Sequence, residues 1–299
     1  NTGKAPILYG FDTPICFDAQ GNVLNFVENL EELQAALEKE GNIVITKVIS
    51  PQNVEFEIDG KGKTIYQDCE NVYALFDITG GKATFKNVIF DGIKGGAVIR
   101  TADAELIADN VTAQNGVHTQ QQGLFRLLGK STITNCTFKN NNCNMVVTFN
   151  YDAEDTTFAE VVENCVFENN VCNGTAALYY VNGSNCTINN NQFVGNIVNC
   201  NTNGATVYMG FQENCIVTNN LFQNNTVNES NTSSRVAGGI FFGYDTVFTG
   251  NAFIDNKVTG ENAKAKDVCV STFYTNINLS GNYWGGSAPV EDVNYYVQH

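Results

Sequence analysis

Basic residues, histidine and proline are scarce in this chain of 299 residues. Lys and Arg together number 16 against 31 Asp and Glu, which gives a formal net charge of -15. That charge disfavours nucleic acid or an anionic membrane surface as the main partner, and it also repels anionic polymers. No apolar run is long enough to cross a bilayer. We therefore expect no nucleic-acid binding and no membrane insertion.

A repeat of Phe-x-x-Asn organises the second half of the chain. From the first full copy to the last aromatic anchor, successive anchors are 29, 26, 29, 31 and 31 residues apart. Phe90 is an earlier form of the same pattern. The anchors are Phe138, Phe167, Phe193, Phe222, Phe253 and Trp284. A fixed period of this length is typical of a solenoid.

The repeated segments alternate apolar and polar residues and are rich in β-branched residues, without a helical stripe. A second apolar strand lies between anchors, as in Gly95-Gly96-Ala97-Val98-Ile99 and Gly204-Ala205-Thr206-Val207. Two or three short strands per repeat, separated by Asn and Gly bends, describe one coil of a β-helix. The sequence therefore predicts an all-β, single-stranded right-handed parallel β-helix.

Stacked coils lie about 4.8 Å apart, so equivalent residues of successive coils meet. We expect the Phe rings to stack inside the tube and the Asn side chains to form hydrogen-bonded ladders. Asn also tolerates the left-handed backbone that a sharp corner requires. The Asn-rich bends are therefore a structural signal first.

The ten cysteines contain no Cys-x-x-Cys spacing, and several recur at the repeat period. The in-register pairs are Cys136 with Cys165, Cys143 with Cys172, and Cys186 with Cys215. Because free Cys behaves as a small hydrophobic residue, we interpret them as buried fillers in the ladders. Disulfides between neighbouring coils are the alternative. No metal site is predicted.

The N-terminal region has a different pattern. Residues 29–40 begin with a candidate N-cap, Asn29, carry acidic residues in the first turn, and place Leu30, Leu33 and Leu37 on one face before Gly41. We expect one amphipathic helix that covers the first coil, because an open solenoid end exposes core and strand edges. The predicted organisation is an N-terminal cap over residues 1–50 and β-helix repeats over 51–299.

The Phe-x-x-Asn segments, together with Gly95-Gly96-Ala97-Val98-Ile99, resemble the motifs of chlamydial polymorphic outer-membrane proteins. The closing Gly281-Asn282-Tyr283-Trp284-Gly285-Gly286 is similar to adhesin-like proteins of gut methanogens and gut bacteria. This resemblance implies a surface-exposed protein with a pectate-lyase-like fold and an adhesive role, and it names no receptor.

Residues suited to catalysis are sparse. The chain has three arginines and two histidines, and the clustered set of Asn-x-Asp, Asp-Asp, His-Gly and Arg-x-Lys motifs by which related galacturonases resemble one another is absent. Asp152, Glu154 and Asp155 are close enough in sequence to hold calcium, but a solvated loop explains them more simply. We therefore predict no catalytic residues and no cofactor.

The candidate binding face consists of residues that stand at similar distances before the aromatic anchors of successive repeats. Aromatic residues with an occasional Arg suit sugar rings, which stack on aromatic planes while their hydroxyls find polar partners. The predicted binding residues are Arg100, Arg126, Tyr179, Tyr180 and Tyr208, with Phe241 and Phe273 in equivalent positions. The opposite possibility is that half of these rings point into the tube.

These observations favour a secreted or cell-surface, adhesin-like β-helix that binds a glycan or a surface protein through a lateral face, without catalysis. We expect a monomer or one part of a longer multidomain chain. One alternative is a polysaccharide lyase or other carbohydrate-active enzyme, with Arg100 or Arg126 as the basic group. Another alternative is a passive structural stalk.

Overall fold

The computed structural model describes residues 15–71, 73–118, 123–149, 159–201, 203–230, 236–242, 246–260, 265–271 and 278–297, with the backbone alone for 179–184, 211–213 and 242. These residues form a parallel β-solenoid of about eight turns with one helix, which confirms the predicted fold class. No helix among them is long and apolar enough to span a membrane.

Each regular coil passes through four strand positions, which we call the first row, the phenylalanine sheet, the narrow sheet and the lateral row. The first row contains Gln52–Asp59, the second half of Ala74–Lys86, Glu105–Asp109, Ser131–Thr134, Val161–Glu163, Thr187–Asn189, Cys215–Thr218 and Thr246–Thr249. The phenylalanine sheet contains Cys16–Phe17, Val23–Val27, Asn42–Ile45, Thr64–Gln67, Ile89–Asp91, Thr112–Gln114, Thr137–Lys139, Val166–Glu168, Gln192–Val194, Leu221–Gln223 and Ala252–Ile254.

The narrow sheet contains Lys94–Gly95, Val117–His118, Asn142–Cys143, Val171–Cys172, Ile197–Cys200, Thr226–Glu229 and Lys257–Thr259. The lateral row contains the first half of Ala74–Lys86, Ala97–Ala102, Gly123–Leu128, Met145–Phe149, Ala176–Ser184, Gly204–Glu213, Val236–Phe242, Val268–Val270 and Tyr295–Val297. The first and lateral rows join through Ala74–Lys86 into one sheet. Successive coils pair in parallel, and Cys16–Phe17 pairs antiparallel with its neighbour.

Left-handed backbone at two corners bends each coil around its phenylalanine strand. Asn164 and Asn169 flank the strand of Phe167 with φ values of 56° and 52°, and Asn190 and Gly195 do the same one coil later. Asn pays less than other non-Gly residues for this conformation because its short amide hydrogen-bonds locally. The Asn-rich bends of the sequence are therefore the corners of the coil, as predicted.

A buried Asn follows the second corner of five successive coils, and these side chains form a ladder. The column is Asn141, Asn170, Asn196, Asn225 and Asn256. Each amide oxygen from Asn170 onward accepts from the backbone N–H and the side-chain Nδ2 of the preceding rung, as Asn196 does from Asn170 at 3.1 and 2.9 Å. The ladder ends where Asn256 Nδ2 donates to Asp267 Oδ1 at 3.1 Å. The predicted asparagine ladder is confirmed.

A second ladder follows the first corner and begins with cysteines. Asn191, Asn220 and Asn251 are buried and linked by amide bonds of 3.0 Å. Cys165 occupies the preceding rung, and its N–H donates to Asn191 Oδ1 at 2.8 Å. Cys136 is one rung further back, with its N–H 3.4 Å from Cys165 Sγ. These two cysteines are buried fillers in the Asn column, as the sequence indicated.

A stack of aromatic rings fills the core. Centroid distances along the column are 4.9, 4.8, 5.0, 5.0 and 4.9 Å from Phe138 to Trp284, with interplanar angles of 21° or less. One coil breaks the pattern, because Ala113 takes the anchor position between Phe90 and Phe138. Phe125 from the lateral row packs edge-on against Phe138 at 5.1 Å. The stack is therefore continuous from Phe138 onward.

The predicted amphipathic helix is present as Leu30–Leu37, and it ends earlier than the pattern indicated. Asn29 caps it by accepting from the Glu32 N–H at 3.0 Å, and Leu33, Ala36 and Leu37 are buried. The helix packs on the strands Val23–Val27 and Asn42–Ile45, which already pair in parallel within the phenylalanine sheet. Parallel stacking thus begins well before residue 51, the boundary drawn from the sequence.

One cysteine pair differs from the filler interpretation. Cys186 and Cys215 face each other across adjacent coils and form a disulfide, with 4.8 Å between their Cα atoms. The other eight cysteines are not bonded to one another in this structure, and six of them are buried. Coil stacking brings these directly opposed positions together, which is why sequence spacing kept both interpretations open.

Candidate functional site

Alternate residues of the lateral row point into and out of the tube. Ile99, Phe125 and Val207 belong to the core, so the residues beside them face outward. The register column beside these core residues runs through Asp77, Arg100, Arg126, Thr148, Tyr179, Tyr208, Phe241 and Cys269. Four of the five predicted binding residues thus stand in one register column.

The fifth predicted residue, Tyr180, stands one position further along its strand. It pairs with Phe149 and Met209, which are both core residues. The side chains of Tyr179 and Tyr180 lie outside the described residues, as do Phe273 and the acidic group at 152–155.

Two of the predicted residues meet at an exposed tyrosine. The Arg100 guanidinium lies over the Tyr73 ring, 4.9 Å from its centroid, and the Arg126 guanidinium lies 5.6 Å from it. Arg126 Nη1 donates to the Tyr73 hydroxyl at 2.8 Å, and Arg100 Nη1 donates to Asp77 Oδ1 at 2.7 Å. We call these four residues the Tyr73 platform. Cation–π contact and the hydrogen bond hold the ring in one orientation.

Burial within the Tyr73 platform is uneven. Arg126 is 8% exposed and the Arg100 side chain 16%, whereas Tyr73 is 49% exposed. The two guanidiniums therefore support the ring while much of it faces solvent. Two positive charges against the Asp77 carboxylate leave a local charge of about +1 on a protein whose net charge is -15. Arg100 Nε is buried without a hydrogen-bond partner among the described residues.

The platform combines an apolar ring face with charged hydrogen-bonding groups. An exposed ring offers a flat apolar plane, and the guanidinium and carboxylate groups offer donors and acceptors for hydroxyls. A guanidinium stays protonated and cannot serve as a base. His118, the histidine in the described part of the chain, is buried elsewhere, in register with Gly95 of the narrow sheet.

Further along the same column the outward residues are covered. Tyr208 is 6% exposed and stacks on Phe241 at 4.6 Å. Both belong to a small apolar cluster with Ala176, Ala205 and Cys269, separate from the main core. Tyr208 therefore offers little ring surface to a ligand.

A polar cleft of about 410 Å³ lies at the corner between the narrow sheet and the lateral row. Its mouth carries an exposed amide ladder, in which Asn199 Nδ2 donates to Asn173 Oδ1 at 3.0 Å and Asn228 Nδ2 to Asn199 Oδ1 at 2.9 Å. An amide has two donors and two acceptor lone pairs, so each rung keeps capacity for ligand hydroxyls. Thr175, which lines this cleft, stands directly before the lateral strand Ala176–Ser184. Tyr73 stands in the same way directly before the lateral strand that begins at Ala74. The cleft and the Tyr73 platform therefore lie along the same corner of the solenoid.

A larger cavity of about 740 Å³ lies beside the last described coil. Tyr283, Trp284 and Tyr295 contribute to its wall, but Trp284 closes the core stack and Tyr295 packs against the core. Two of its wall residues therefore serve the core as well. No group of three metal-ligating side chains occurs in the described ranges.

Sequence reasoning identified Arg100 and Arg126 but missed Tyr73 as their partner. Tyr73 belongs to no repeated motif and is 53 residues from Arg126. A weak signal did exist, because Asp77 precedes Arg100 by one coil in the same register. An acidic residue one coil before a basic one predicts an ion pair on a lateral face.

Two solved structures are similar to this chain over most of its length, at low sequence identity. No protein family profile matches the chain, and no curated protein matches it. Among solved structures, an alginate lyase from Paenibacillus sp. str. FPU-7 shares 10% identity and a TM-score of 0.34, over 92% of this chain and 98% of that one. A mutant of the periplasmic alginate epimerase AlgG shares 11% identity and a TM-score of 0.25, over 93% of this chain and 85% of that one. At these scores we transfer neither activity to this chain.

Proposed function

We propose that this protein is a secreted or cell-surface, adhesin-like β-solenoid that binds a glycan through its lateral corner, without catalysis. The observation that supports this proposal is the exposed Tyr73 ring, which Arg100 and Arg126 hold in a fixed orientation. A preorganised ring binds a sugar face with little further loss of conformational entropy.

The charge distribution favours a neutral or sparsely acidic glycan. The platform carries about one excess positive charge, which accommodates a single carboxylate. A polyanion would meet the net charge of -15 over the rest of the protein. The polar cleft near Asn199 gives an extended chain a second contact region on the same corner.

The direct test is a glycan microarray followed by calorimetry on each glycan that binds. The Tyr73→Ala variant should weaken binding about tenfold or more, the equivalent of about 1.4 kcal/mol. Phe26→Ala is the matched control, since Phe26 is also 49% exposed but lies away from the lateral row, and its affinity should stay unchanged. Equal losses in both variants would contradict a site at Tyr73.

Two other results would support the alternative functions, a polysaccharide lyase or a passive stalk. Chromatography of acidic and neutral polysaccharides after long incubation, with and without calcium, should show no new products. New unsaturated oligosaccharides that disappear in Arg126→Gln would instead establish a lyase. If no glycan binds and Tyr73→Ala changes no surface phenotype, the protein is a passive stalk.

A further inference from the structure

We propose that Cys143 and Cys172 form a second disulfide, which joins two consecutive coils from inside the tube. The two residues are directly opposed in register on adjacent strands of the narrow sheet. Neighbouring strands lie about 4.8 Å apart. This spacing falls within the range of about 4.4–6.8 Å that disulfides span between Cα atoms.

The disulfide between Cys186 and Cys215 shows that opposed cysteines of adjacent coils can form a bond in this fold. Cys186 and Cys215 are also one coil apart and buried, and 29 residues separate them along the chain. Cys143 and Cys172 share each of these properties, since 29 residues also separate them and both are buried.

A third pair with the same separation provides an internal contrast. Cys136 and Cys165 stand at a corner, in the Asn column rather than in a strand. Cys136 Sγ donates to the Thr134 carbonyl at 3.1 Å, and Cys165 Sγ donates to the Glu163 carbonyl at 3.2 Å. Oxidation would remove both S–H donors, and each carbonyl would keep only its backbone donor, the Asn110 N–H for Thr134 and the Asn135 N–H for Glu163. We therefore expect this pair to stay reduced.

Closing the bridge is a two-electron oxidation. Two thiols lose two protons and two electrons, and a low-molecular-weight disulfide such as oxidised glutathione takes them up and leaves as two thiols. Interaction with the adjacent Cys172 thiol, together with burial, raises the pKa of the Cys143 thiol well above its usual value. Because the thiolate is the attacking species, exchange in the folded tube should be slow. The bridge should therefore close during folding, while the two coils are stacking and the thiols are still open to solvent.

The experiment is to refold reduced protein in a buffer of oxidised and reduced glutathione, then block free thiols in denaturant and map linked peptides by mass spectrometry. The expected result is linkage of Cys143 to Cys172 and of Cys186 to Cys215, with Cys136 and Cys165 alkylated. Alkylation of Cys143 and Cys172 under conditions that link Cys186 to Cys215 would overturn the proposal. The proposal would also be overturned if Cys143 stayed unlinked to Cys172 at every ratio of oxidised to reduced glutathione.

A double variant separates the bridge from simple packing. The same register column continues as Val198 and Val227, so Cys143→Val with Cys172→Val keeps a side chain that the tube already accepts. Oxidised wild-type protein should unfold at least about tenfold more slowly in denaturant than this variant, and the two should become similar once both are reduced. Equal unfolding rates in the oxidised state would also contradict a closed bridge.

Discussion

Replacing Asn196 by alanine tests how much a buried amide rung stabilises the solenoid. Asn196 Oδ1 accepts from the Asn170 N–H at 3.1 Å and from Asn170 Nδ2 at 2.9 Å. Its Nδ2 donates to the Phe167 carbonyl at 2.8 Å and to Asn225 Oδ1 at 3.0 Å. Alanine removes all four bonds in a site that is fully buried.

The size of the loss follows from these four bonds. A protein hydrogen bond contributes about 1 kcal/mol net, and each buried donor left without a partner costs about 1–3 kcal/mol. Both donors of Asn170 that pointed at Asn196 lose their acceptor. We therefore expect Asn196→Ala to lower the free energy of unfolding by about 4 kcal/mol or more, a large fraction of the stability of an ordinary domain.

Asn199→Ala is the matched control in the same coil. Asn199 is also a ladder rung, with amide bonds of 3.0 and 2.9 Å to Asn173 and Asn228, but it is exposed. Water can replace its bonds, so we expect a loss of less than about 1 kcal/mol.

The assay is urea unfolding followed by far-ultraviolet circular dichroism and by the fluorescence of Trp284, with agreement between the two signals as the check of two-state behaviour. The reasoning fails if Asn196→Ala and Asn199→Ala lose the same small amount. That result would mean that the buried ladder stabilises the fold no more than its exposed counterpart.

Four further changes have defined outcomes. Phe193→Ala removes a ring stacked at 4.8 and 5.0 Å on its neighbours, and urea unfolding should show a loss of about 3–5 kcal/mol; a loss below 1 kcal/mol would contradict the stack. Asn190 has φ of 54°, so Asn190→Ala should cost about 1–2 kcal/mol and Asn190→Gly much less; equal costs would remove the backbone argument. In the Cys143→Val, Cys172→Val background, reducing the disulfide between Cys186 and Cys215 opens a ring of one coil and should lower stability by about 3–4 kcal/mol in thermal unfolding, and adding Cys186→Val should make this variant insensitive to reductant. Burial lowers the pKa of His118 to about 4, so the unfolded chain takes up a proton below pH 6.5 while the folded protein does not. Stability should therefore fall from pH 6.5 towards pH 4 by up to about 3 kcal/mol, and His118→Leu should flatten that slope; an unchanged slope would show that His118 is not its source.

Local chemistry in the sequence determined the coil. Phe at the anchor positions, Asn at the left-handed corners and alternating strands repeat at one period, and each choice favours the same structure. Stacking at strand spacing then brings Phe193 onto Phe167 and Asn196 onto Asn170 without further information. Fold class, ladders and core could for this reason be predicted from spacing alone.

The tertiary structure decided what each outward position contacts. Arg126 and Tyr73 meet because a side chain can reach across two coils, and no periodic pattern encodes that reach. Burial of Tyr208 depends on what covers the lateral row, whereas alternation gives only the side of the strand on which a residue stands. Spacing likewise brings two cysteines together, but whether they form a bond depends on the contacts of each sulfur. The coil could be predicted because its interactions repeat between neighbouring turns, whereas the contacts of the candidate site occur once and are visible only in the folded protein.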